Sequence, residues 1–182
     1  MTAGVVVFAV GNRSRGDDAV GPWLLDRLAA WLGCRLDAGD FELIDDFQLH
    51  IEHALDLVGR RLALFIDAGV GTATPFDYRE ISATASLAGH TTHALAPSAV
   101  LGVYRQVTGA PPPPAFVLCV RGESFELGDA ISARARDHAE SAWRKLAALC
   151  ERPDATHWRA TMAGRTPDGA AREHGPAVSA AR

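Results

Sequence analysis

Unbroken apolar runs alternate along this chain with segments whose apolar positions recur every three to four residues. Gly4 to Val10, Leu62 to Ile66 and Phe116 to Val120 are the unbroken runs, the pattern of strands buried on both faces. Phe41 to Ile44 and Tyr78 to Ile81 are shorter and more polar, and predict two further strands. Val20 to Leu32 sets Val20, Trp23, Leu24, Leu25 and Leu28 at the spacing of an amphipathic helix, and Pro22 fits a first turn, where its missing N–H would be unpaired in any case. Leu49 to Val58 carries Leu49, His53, Ala54 and Leu57 on one side and predicts a second helix. Further helices are predicted from Pro97 through Val107 and from Ile131 to Cys150. Strands alternating with helices imply a three-layer α/β/α sandwich built on a mostly parallel twisted sheet of about five strands. Pro111 to Pro114 is a stiff connector into the last strand.

The pattern fades at Glu151. Ala, Arg, Gly, Pro and polar residues dominate from there, with no sustained apolar period beyond Trp158 and Met162. Residues 1–150 are therefore expected to form a single α/β domain and residues 151–182 a largely disordered tail. The length of 182 residues and the 48% apolar content suit one globular core.

Charge and cysteine usage narrow the class. A formal net charge of −4 argues against nucleic acid or an anionic membrane as partner. Cys34, Cys119 and Cys150 lie far apart without a C-x-x-C pair, so neither a zinc knuckle nor a disulfide framework is readable. The apolar run near the N-terminus is shorter than the roughly 20 residues of a membrane span and lacks a basic flank. The expectation is a cytoplasmic protein acting on a protein or a small molecule.

Chemistry concentrates where the first strand ends. Val10 runs into Gly11-Asn12-Arg13-Ser14-Arg15-Gly16-Asp17-Asp18-Ala19-Val20-Gly21, a glycine-punctuated loop with two adjacent acids. The carboxyl end of a buried parallel strand opens into the crevice where ligands bind in α/β sheets. Either acid suits the N-cap of the helix that follows, and either can face the crevice instead. Asp67 repeats the arrangement, closing the central strand ahead of Ala68 and Gly69. An unpaired carboxylate there is costly to bury and calls for a hydrogen-bond donor, a cation or a place at the wet rim. The competing role is capping a turn through Gly69.

Two H-x-x-H pairs supply imidazoles. His50 and His53 fall on the second predicted helix, where surface packing is the simpler role, whereas His90 and His93 fall in a loop leading into the helix at Pro97. H-E-x-x-H, G-x-S-x-G, the phosphate loop G-x-x-x-x-G-K-[ST] and G-x-G-x-x-G are all absent, which weighs against zincins, serine hydrolases, P-loop ATPases and dinucleotide oxidoreductases. Two carboxylates and an imidazole from three strand-end loops remain. Carboxylates about 4 Å apart repel by about 4 kcal/mol at an effective dielectric of about 20, which a cation would offset, and this donor set suits nickel or zinc.

Gly11-Asn12, Asp17-Asp18 and Gly21 after the first strand, Asp67 at the end of a central strand, and His93 within Thr91-Thr92-His93-Ala94-Leu95-Ala96-Pro97 together resemble the hydrogenase maturation endopeptidases. The resemblance covers roughly residues 4 to 148. Segments 47–57 and 121–128 resemble the branch that serves NAD-reducing hydrogenases. The resemblance implies a peptidase that removes a C-terminal extension from the large-subunit precursor of a nickel–iron hydrogenase after nickel insertion. Asp18, with Asp17 as the alternative, corresponds to the family's metal-contacting acid in the first loop, Asp67 to its strand-end acid, and His93, in preference to His90, to its loop histidine. Asp18, Asp67 and His93 are thus the expected metal-contacting and catalytic set. Nickel would arrive with the substrate protein, and no tightly bound organic cofactor is expected. Ser14 and Ala19 depart from the family loop, which has leucine and often glycine there; both changes touch packing rather than ligands. A non-catalytic nickel-binding maturation chaperone would carry the same residues. A metal-dependent aminopeptidase-like hydrolase would need more ligands of its own.

Overall fold

A computed structural model describes residues 3–84 and 95–162. Five strands form one sheet: β1 (Val5–Val10), β2 (Phe41–Asp46), β3 (Leu62–Gly69), β4 (Phe76–Ile81) and β5 (Ala115–Arg121). Their order is β2-β1-β3-β5-β4. The first four run parallel, and β4 pairs with β5 antiparallel at one edge. The sheet is therefore mixed at that edge, because the short connection from Gly69 to Phe76 permits only a reversal of direction whereas a parallel return needs a crossover.

Helices α1 (Val20–Leu32), α2 (Cys34–Asp37), α3 (His53–Asp56), α4 (Pro97–Thr108), α5 (Ala133–Glu151) and α6 (Ala155–Ala160) complete the described elements. Alternation along each strand splits the core in two. Val5, Val7, Leu64, Ile66, Phe116 and Leu118 face α1, α5 and α6, while Val6, Phe8, Ala63, Phe65 and Val117 face the layer of α3 and α4. The expected sandwich is present, with α1 spanning the predicted residues.

Two expectations need correction. The second helix is a single turn, His53–Asp56, rather than Leu49 to Val58. Its surroundings are tied by i→i−3 bonds, from the His53 N–H to the His50 carbonyl and from Val58 to Leu55, so the segment winds more tightly than an α-helix. The face expected to be buried is buried: Leu49, His53, Ala54 and Leu57 all point inward. The second correction concerns the tail. Residues 151–162 are ordered and belong to the domain. Asp154 caps α6 by accepting the His157 N–H at 2.9 Å, and Trp158 is fully buried, its ring edge-on to Phe116 at 5.2 Å and its indole N–H donated to the Leu149 carbonyl at 2.8 Å. One large aromatic anchored at both ends docks this helix, so no apolar period was needed to hold it. Residues 163–182 lie outside the described residues.

Candidate active site

The loop after β1 winds into a 3₁₀ turn over Gly16–Ala19 that carries both acids and packs on β3. Neither acid caps a helix with its side chain. Asp17 is fully buried and turns away from the crevice, accepting the N–H groups of Glu123 at 2.7 Å, Ser124 at 3.0 Å and Ser132 at 2.7 Å, and the Ser132 hydroxyl at 3.0 Å. Burial pushes its pKa up, but these four donors outweigh it and hold Asp17 below the usual carboxylate range. Backbone bonds from Gly16 to Asp129, from Asp17 to Ser124 and from Gly128 to Ser14 extend the same clasp between the first loop and the segment after β5.

Asp18 takes the other direction. Its Oδ2 accepts the Asn12 N–H at 2.7 Å, which folds the loop back on itself. Gly11 makes that fold possible: its φ is +143°, and a Cβ there would stand 2.0 Å from the Asp18 carbonyl oxygen.

Asp67 sits at the carboxyl end of β3 in the central sheet. Among the described residues only the adjacent Ala68 N–H donates to it, at 2.7 Å. Burial raises its pKa to about 6, the Ala68 amide opposes the rise, and the charge of Asp18 adds to it. The two acids expected to work together are therefore within electrostatic reach. Asp67 does not cap the turn through Gly69; that turn closes through the Thr72 N–H and the Gly69 carbonyl.

His90 and His93 lie outside the described residues. The chain re-enters at Leu95, whose N–H donates to the Leu49 carbonyl at 3.1 Å and whose side chain joins the core on the Phe65 face, the face that the strand alternation assigns to Asp67. His53 is structural: its Nδ1 accepts the His50 N–H at 2.8 Å, its Nε2 lies 3.5 Å from Asp46, and its ring meets Phe8 edge-on.

Cys119 is the neighbour that sequence spacing hid. It stands in register with Asp67 across the β3–β5 pair, accompanied by Thr72 Oγ1 at 3.1 Å, and burial pushes its thiol pKa up. Its signal was its position near the end of a strand parallel to β3, readable only once the two strands are paired. Among the described residues no three His, Cys, Asp or Glu side chains converge on one point as a metal centre would require. Asp18 and Asp67 are two carboxylates within electrostatic reach of each other, and burial weighs on Asp67.

No protein-family model and no curated protein matches the chain. Solved structures do match. The nickel–iron hydrogenase maturation protease HycI from Thermococcus kodakarensis aligns with a TM-score of 0.59 at 20% identity, over 81% of this chain and 92% of that one. The hydrogenase maturating endopeptidase HybD from E. coli aligns with 0.59 at 22% identity, over 83% and 93%. A hydrogenase 2 maturation peptidase from a Thaumarchaeota archaeon aligns with 0.57 at 20% identity, over 81% and 97%. This chain has the fold of the hydrogenase maturation proteases.

Proposed function

We propose that this chain is an endopeptidase that cuts a C-terminal extension from the large-subunit precursor of a nickel–iron hydrogenase once nickel has been inserted. The observation that carries the reading is the pairing of Asp18 and Asp67 at the carboxyl end of a sheet with the maturation-protease fold, one acid held by a loop amide and the other left short of donors. Segments 47–57 and 121–128 support a precursor from the NAD-reducing branch, and the reading sets the reaction in the cytoplasm.

Nickel enters as cargo of the substrate. Asp67, with a pKa of about 6, is mostly ionised at neutral pH yet poorly solvated, so it gains from a cation brought into the crevice. Asp18 supplies the second carboxylate and His93 the imidazole. Together they orient the precursor so that its scissile carbonyl lies beside the pair. The nickel carried by the precursor would polarise the scissile carbonyl or the attacking water, with Asp18, Asp67 and His93 holding the bond beside it.

The test is mass spectrometry of a purified precursor incubated with the protein. The nickel-loaded precursor should lose its extension and the nickel-free one should stay whole, and Asp18→Ala, Asp67→Ala and His93→Ala should each abolish cleavage. An uncut loaded precursor that still binds would make the chain a maturation chaperone. Rapid cutting of nickel-free precursor would remove the metal-recognition step.

A further inference from the structure

The segment joining β2 to β3 is apolar on both faces. Inward, Leu49, His53, Ala54 and Leu57 fill the core beside Phe8 and Phe65. Outward, Phe47 (70% exposed), Ile51 (58%), Leu55 (59%) and Val58 (47%) stand in solvent. Four large apolar side chains within twelve residues of one surface segment are more than the scattered exposure normal for a soluble protein, and such patches mark interaction sites.

This face adjoins the candidate site. Phe47 and Asp46 line an open cleft with Gly11 and Arg13, and Gly11 is the residue that admits the Asp18 carbonyl. Its margin is acidic. Asp46 and Glu52 border the patch outside any arginine or lysine pair among the described residues, while Arg13 is engaged between Asp26 and Asp45 and Arg60 with Glu42. A two-fold contact with a second copy would set these acids against one another. A surface with lysine or arginine around an apolar centre would complement both features.

We infer that the outward face of residues 47–58 is the docking surface for the protein substrate, and that it receives an apolar patch bordered by basic side chains beside the end that is cut. The inference rests on the proposed precursor-processing activity and extends it to how the precursor is held. Docking here would bring the precursor's C-terminal end toward Asp18 and Asp67, while contacts remote from the reacting bond set affinity.

The experiment uses the full chain and a purified nickel-loaded large-subunit precursor. The Ile51→Ser/Leu55→Ser double variant should raise KM about tenfold with kcat kept within about twofold, because the contact is uniform to ground and transition states. Glu52→Lys should raise KM by a smaller factor and flatten its dependence on salt. Val107→Ser, on an equally exposed residue of α4 (64%), should change neither. If the double variant fails to fold by circular dichroism, Phe47→Ser and Glu52→Lys carry the test. Unchanged KM in the folded variants, or an equal rise in Val107→Ser, overturns the inference and leaves the peptidase reading intact. Loss of self-association in sedimentation with unchanged KM assigns the face to a second copy and also overturns it. A wild-type protein that neither binds nor cuts the precursor overturns the proposed function, and the docking surface falls with it.

Discussion

A carboxylate at the end of a buried strand costs its fold stability in proportion to the rise of its pKa, and Asp67 shows the cost. Its folded pKa of about 6 lies above the ordinary 3.8, so the folded chain holds that proton more tightly than the unfolded one. The stabilising contribution is complete below about pH 4 and is lost as pH rises through about 6. At neutral pH the ionised group costs about 1–2 kcal/mol, allowing for its partial contact with solvent. Asp67→Asn should therefore be more stable than the parent by about that amount at pH 7 and no more stable below pH 4, while losing the proposed activity. Urea unfolding at the two pH values measures this, and equal stability at pH 7 would remove the desolvation account. Asp17 has the opposite sign: its folded pKa is lowered, so its contribution holds above the ordinary carboxylate value and fades as pH falls. Asp17 and Asp67, two acids of one type, thus carry opposite signs because four donors surround the first and one amide the second.

Between elements, the first loop is held by the segment after β5 rather than by its own helix. Asp17 accepts four hydrogen bonds from Glu123, Ser124 and Ser132, more than a hundred positions away in sequence. The expectation that an acid here works as a local cap is replaced by a long-range tie. Asp17→Ala leaves those buried donors unpaired and should destabilise the fold by about 2–4 kcal/mol. Amide exchange of residues 123–132 should rise more than exchange in the central strands. An effect within about 0.5 kcal/mol, the range of ordinary surface substitutions, would show that the backbone bonds alone carry the clasp. Such a tie also gives the site loop a fixed seat, which a group poised by hydrogen bonds needs if it is to act at a set distance.

For the whole molecule, the decisive contact is the return of the chain after α5. Trp158 closes the face of the sheet that holds Phe116, and Arg159 forms a bidentate ion pair with Glu80 on the edge strand β4. Truncation after Cys150 strips Trp158 from that face and uncovers β4, so it should cost about 3–5 kcal/mol and lower the unfolding midpoint clearly. Truncation after Met162 keeps α6 and should therefore keep what Trp158 and Arg159 contribute. Because both cores share one sheet, tryptophan fluorescence and far-ultraviolet circular dichroism should follow a single coincident transition. A Cys150-truncated chain as stable as the parent would mean that α6 is decoration.

What the sequence by itself determined was the layered α/β architecture, the long helices, and the placing of Asp18 in the loop after the first strand and of Asp67 at the end of a central one. Those features follow from short-range rules: unbroken apolar runs bury strands on both faces, three-to-four spacing sets a helix face, and a glycine-rich turn after such a strand opens on the crevice. The tertiary structure alone decided that Asp17 is buried among donors of the segment after β5, that Cys119 stands in register with Asp67, that β4 pairs with β5, and that residues 151–162 pack on the domain. Each depends on which distant segment supplies a donor, a strand edge or an aromatic face, and such partners lie too far along the chain for periodicity or spacing to carry them. His93 stays an expectation of the sequence, since it lies outside the described residues. Local pattern sets what an element is, and long-range contact sets what its side chains are free to do.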